Sequence, residues 1–144
     1  MSPALKAHFA DYSAFHGTPG NQVCHYVGIP LIVLTLFSML ARVPLGEVAG
    51  FTLTLAEVLI AAVTAYYLTM DPPLALAMLG ASAALDAVGR RIPLWPAVAL
   101  FTFGWILQFA GHYVYEKRSP AFFRNATHLL VGPLWILAKA TGRS

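Results

Sequence analysis

Long apolar stretches make up most of the chain, and the polar residues that interrupt them recur at helical intervals. Residues 4–15, ALKAHFADYSAF, put Leu5, Phe9, Tyr12 and Phe15 on one helical stripe with Lys6 and Asp11 off it, the pattern of a helix lying in a membrane interface. The segment HGTPGN then breaks it. Residues 21–41 are apolar over the length that spans a bilayer core, with Asn21 as N-cap and Gly28 and Pro30 loosening the first half. RVPLGEVAG reads as a loop. Residues 51–70 form a second span with Glu57 inside it, and DPP makes a sharp turn. Residues 74–88, rich in Ala and Gly, form a third span, since small residues let membrane helices approach closely. GRRIP is a charged loop, residues 95–115 form the fourth span, and EKRSP ends it with Pro120 as a stop. Residues 122–138 are apolar but interrupted by Arg124, Asn125, His128, Gly132 and Pro133; a fifth span, a re-entrant segment and an interfacial helix all fit. No internal repeat or second domain is visible. The expectation is an all-α polytopic membrane bundle forming one domain over residues 1–144. It has about four transmembrane helices, an N-terminal interfacial helix and a C-terminal apolar helix.

Composition sharpens this. Of 144 residues, 58% are hydrophobic and 10% charged, and the mean hydropathy is +0.68. Soluble chains are about 45–50% apolar and about 25% charged, and a small domain buries too little of its surface to hide such an excess. Lipid is the expected solvent, and the protein is expected to be integral and multi-pass. The net charge of +3 comes without any basic run interleaved with aromatics, so no nucleic-acid partner is expected. The single Cys24 excludes an internal disulfide framework and a Cys-rich metal site. The N-terminus has no continuous apolar run of the signal-peptide kind, so the first span is expected to insert the chain.

Counting crossings places the chemistry. Four spans return the chain to its starting side, so His16, His25, His112 and Glu116 meet at one membrane face. If the last segment does not cross, that face also carries Lys6, Lys117, Arg118, Arg124, Lys139 and Arg143, against Arg42, Arg90 and Arg91 opposite. The positive-inside rule then makes it cytoplasmic. Gln108, His112 and Glu116 recur every four residues on span four, and Asn21 and His25 do so on span one. Imidazoles and a carboxylate converging at one face suit a non-haem iron site, with Gln108 and Asn21 orienting the ligands or the substrate. Two other readings share these residues: axial ligation of haem by His25 and His112, and polar glue in a non-catalytic transport or scaffold protein. His8 and His128 read as solvated or anchoring side chains. Asp86 is set to pair with Arg90 one turn on, Glu57 has no partner in sequence, and Trp95, Trp105, Tyr113, Tyr115 and Trp135 read as packing and interfacial belts.

Two stretches carry a family resemblance. FADYSAFHGTPGNQVCHYVGIPLIVL resembles a pattern of Tyr, His, a Pro-Asn turn, His and Gly-x-Pro. WILQFAGHYVYEKRSPAFFRN resembles Gln-Phe-x-Gly-His-x-x-x-Glu-x-x-x-Pro-Ala. Both are signatures of the small membrane 2-hydroxy fatty acid dioxygenases, which require ferrous iron. The one departure is AFF after Pro120, where the family more often has Ala-Leu. The resemblance implies Fe(2+) held by His16, His25 and His112, with Glu116 as a fourth ligand or base and His112 and Glu116 as catalytic residues. It also draws in Tyr12 and Asn21, with Lys117 and Arg118 placed to attract a carboxylate. The implied partners are a fatty-acyl lipid substrate, O₂ and membrane lipid, and a homo-oligomer is compatible. The implied reaction shortens a 2-hydroxy fatty acid by one carbon.

Overall fold

A computed structural model describes residues 1–143. Six α-helices run in the order α1 (Pro3–Ala14), α2 (Pro19–Leu40), α3 (Leu55–Leu68), α4 (Pro72–Gly89), α5 (Leu94–Ala110) and α6 (Thr127–Ala140). A hairpin of β1 (Pro44–Val48) and β2 (Phe51–Thr54) separates α2 from α3. Among the described residues, three segments are long and apolar enough to cross a membrane: α2, α4, and α5 with its continuation to Glu116.

α2 is the centre of the bundle. α5 runs antiparallel along it, and the two backbones come close at facing glycines. A Cβ on Gly28 would meet the Gly104 carbonyl at 2.9 Å, and one on Gly104 would meet the Gly28 carbonyl at 3.1 Å. Residues this small let apolar helices pack backbone to backbone. α4 approaches α2 in the same way, Gly89 lying against the Leu34 carbonyl. α3 pairs with α4 and also touches α2, but α3 and α5 have little contact with each other. α2 starts at Pro19, a favoured first helical residue, so Asn21 lies within the first turn and is not the cap.

The second predicted span is corrected. Residues 51–54 pair with β1 across a turn in which Ala49 and Gly50 both have positive φ, the geometry of a tight two-residue hairpin. α3 starts only at Leu55 and has 14 residues, about 21 Å at ~1.5 Å per residue, short of a hydrocarbon core of ~30 Å. The signal was Thr54-Leu-Ala-Glu57, a capping box with both of its hydrogen bonds present. Glu57 is therefore at a helix start, where it also pairs with Arg90. Arg90 bridges on to Asp86 at 2.8 Å, as its spacing predicts.

α1 and α6 lie together across the end of the bundle where α2 begins. The stripe Leu5, Phe9, Tyr12 is buried in protein against Val131, Leu134 and Trp135 of α6, together with Leu74 and Ala75 at the start of α4; it does not present a free face to lipid. Trp135 is 1% exposed, its Nε1 donates to Ser13 Oγ at 3.0 Å, and it belongs to this core, not to an interfacial belt. α6 starts beside Asp11 and ends with Arg143 on Asp71, so both of its ends are at the α2-start end of the bundle. Asp71 caps α4 by accepting from Leu74 N and pairs with both Arg143 and the N-terminal ammonium.

Candidate metal centre

Three elements deliver three imidazoles to one place. His16 follows the C-terminus of α1, His25 is in the second turn of α2, and His112 is in the turn that continues α5, residues Gly111–Glu116. Their ring centroids are 4.3, 4.9 and 4.9 Å apart, with the planes steeply crossed. One ring nitrogen from each lies within 4.8 Å of the other two, and all three side chains are buried.

Backbone carbonyls fix the tautomers. His16 Nδ1 is 2.6 Å from the Tyr12 carbonyl and His25 Nδ1 is 2.9 Å from the Asn21 carbonyl. A carbonyl only accepts, so each Nδ1 carries the proton and each Nε2 keeps its lone pair, the arrangement that a ligating histidine needs. Burial pushes His16 down to about 4, so it is neutral around pH 7. His16 Nε2 and His112 Nδ1 are buried without any partner among the described residues. A buried ring nitrogen without a hydrogen-bond partner carries a desolvation cost, which a cation bound to it removes. By this test the residues fit a metal ion, and an all-imidazole set suits Fe, Zn, Cu or Ni.

Glu116 is placed elsewhere. Its Oε1 accepts from Gly17 N at 3.0 Å, and its Oε2 accepts from Thr18 N, Thr18 Oγ1 and Asn21 Nδ2 at 3.1, 2.8 and 3.1 Å. Its oxygens are not in the group of three nitrogens. The expected stripe Gln108–His112–Glu116 assumed α-helical winding, whereas residues 111–116 form a π-turn. Its i→i+5 bonding turns Glu116 off that stripe, onto the loop that carries His16.

The other candidates divide. Asn21 holds His25 through its carbonyl and Glu116 through its amide. Tyr12 stacks on His16 at 4.0 Å with the planes 11° apart. Gln108 is buried, its Nε2 donating to the Cys24 carbonyl at 3.4 Å. Lys117 ends the π-turn in a left-handed conformation. Arg118 lies over the Phe15 ring and donates to the Ala14 carbonyl. Neither of these cations lines the cavity described next.

That cavity, about 420 Å³, starts at the three histidines and runs down α2 past Ile29, Ile32, Val33 and Leu36 to Phe37. α3 and α5 form its sides and Tyr12 and α6 its upper wall. From His25 to Phe37 it covers about 18 Å of helix axis. Its walls are almost wholly apolar. His128, read from sequence as an anchor, is 6% exposed, lines this cavity, and binds Asp11 Oδ2 through Nε2 at 2.7 Å. No sequence signal marks this pair, because its members are 117 residues apart.

An apolar helical bundle holding three buried imidazoles at the head of a long apolar cavity defines a class: a mostly helical protein with three candidate membrane spans and a histidine group able to hold a metal ion. Within that class the chain is a member of the 2-hydroxy-palmitic acid dioxygenase Mpo1-like family, whose model matches residues 3–144. It is 31% identical over 138 residues to the 2-hydroxy-palmitic acid dioxygenase MPO1 of Saccharomyces cerevisiae, an alignment covering 92% of this chain and 77% of the yeast protein. No solved structure matches it.

Proposed function

We propose that the protein is a membrane-embedded, Fe(2+)-dependent dioxygenase that cleaves the C1–C2 bond of long-chain 2-hydroxy fatty acids. The observation that carries this reading is the continuity of three converging imidazoles with a long apolar cavity. His16, His25 and His112 would hold the iron, which when bound supplies open positions for a chelating 2-hydroxy acid and the electrons that activate O₂. The rest is work for the chain's own groups. The Tyr12 and Asn21 carbonyls keep two imidazoles in the ligating tautomer. Glu116 pins the His16 loop to the end of α5. The apolar walls exclude water and align the acyl tail. One leaflet is about half of a ~30 Å hydrocarbon core, so a cavity about 18 Å long takes a tail of the length found in membrane lipids. A 2-hydroxy acid and O₂ contain together the atoms of the acid one carbon shorter, CO₂ and water, so no outside reductant is needed.

The crossed imidazoles support a single ion bound by three nitrogens over the haem reading, since axial ligation needs two rings on opposite sides of a macrocycle and here a third ring lies within 5 Å of both. Lys6, Arg118, Lys139 and Arg143 share the end that holds the site, which supports a cytoplasmic placement of that face.

The test is metal analysis of purified protein loaded anaerobically with ferrous iron, beside His25→Ala and His112→Ala. About one iron per chain in the parent, lost in both variants along with conversion of 2-hydroxyhexadecanoic acid to pentadecanoic acid, is expected. Iron retained by both variants would sink the shared site.

A further inference from the structure

His128 is the fourth histidine of the cavity and is not one of the three that converge. Its environment is that of an oriented but unfinished hydrogen-bonding group. Nε2 is fixed at 2.7 Å from Asp11 Oδ2, and Nδ1 is buried with no partner among the described residues. Around the ring are Tyr12 at 5.6 Å and Phe15 at 5.9 Å, and neither offers Nδ1 a hydrogen bond. The Asp11 side chain is 54% exposed, and so open a pair adds little to stability. What it does is set the tautomer. A carboxylate only accepts, so Nε2 carries the proton, and in the neutral ring Nδ1 is left as a pure acceptor. A buried acceptor without a donor is costly, and the cost is recovered when a ligand brings an O–H to it. A fatty acid carboxylate has none to give; a hydroxyl on the adjoining carbon does.

We infer that His128, oriented by Asp11, is a substrate-binding residue whose Nδ1 accepts a hydrogen bond from the 2-hydroxyl and so distinguishes a 2-hydroxy acid from the unsubstituted acid. This rests on the function proposed above and assigns a specificity role to a residue outside the metal-ligating trio. A site built around a hydroxyl rejects the analogue that lacks it, because the buried partner stays unpaired.

The experiment uses the full chain loaded with zinc in place of iron, so that nothing turns over. Competition binding compares 2-hydroxyhexadecanoic acid with hexadecanoic acid for the parent, His128→Leu and Asp11→Ala. The exposed Asp11 site keeps the test open if His128→Leu does not fold. The parent should prefer the hydroxy acid. His128→Leu should lose about tenfold of that preference with its zinc content unchanged, and Asp11→Ala should lose part of it. An unchanged preference in His128→Leu overturns the inference. So does an equal loss for both acids, which would make His128 a carboxylate site, and so does loss of zinc, which would make it a ligand. If the parent binds neither acid, the proposed function itself fails, an outcome distinct from these three.

Discussion

The carboxylate of Glu116 accepts from Gly17, Thr18 and Asn21, all on the segment that leads from His16 into α2. It thereby ties the loop bearing one imidazole to the helix bearing another. A glutamine there has only one accepting oxygen and must turn its amide hydrogens toward donors. Glu116→Gln is therefore expected to weaken metal retention about 10–100-fold, the usual effect of disturbing groups that orient ligands, with all three imidazoles still present. Competition with a chelator measures this, and unchanged retention would show that the loop is held without Glu116. At this scale the meeting of His16, His25 and His112 was legible, because α2 to α5 run back and forth an even number of times, and α3, though shorter than a span, still makes one of those passes. The true neighbours of Glu116 were not, because a π-turn leaves no trace in hydrophobic periodicity. The burial of His128 was hidden for another reason: it depends on Asp11 at the far end of the chain.

Helices long enough to show their period were found nearly in full, as α2, α4 and α5 illustrate. The hairpin was not. Phe51-Thr-Leu-Thr54 continues an apolar run, and a short apolar run does not say whether it is strand or helix. The capping box at Thr54 held the answer. α6 was found as an element, but its direction came from polar contacts at its two ends, which no pattern within it encodes. Phe37 of α2 and Ile60 of α3 lie where the cavity ends, packed around Ala56. Phe37→Ala should lengthen the preferred 2-hydroxy acid by a few carbons, and Ile60→Trp should shorten it, both read from products formed across a chain-length series. An unchanged profile in both would mean that the tail lies elsewhere.

Across the whole molecule, α1 and α6 act as one cover, fastened where Asp71 meets Arg143 and the N-terminal ammonium. The Leu74 N–H, before the two cations, holds the Asp71 carboxyl below its ordinary value of 3.8, against the opposing effect of burial. The folded state thus binds this proton more weakly than the unfolded state. The stabilisation is complete above the ordinary carboxylate range and is lost as pH falls through it toward the folded value. Asp71→Asn keeps a capping side chain but loses both ion pairs. It should melt at a lower temperature near pH 7 and show a flatter decline between about pH 5 and pH 3; a decline as steep as the parent's would clear Asp71 of the effect. The flank of the bundle has a different consequence. α3 and α5 stand on either side of the cavity with little contact between them, so under the function proposed above a substrate passing between them would come from the bilayer, not the water. For an enzyme entered from the side, concentration is counted per lipid molecule and not per litre. Diluting the membrane with inert lipid starves the site as surely as withholding substrate, whereas adding buffer changes nothing.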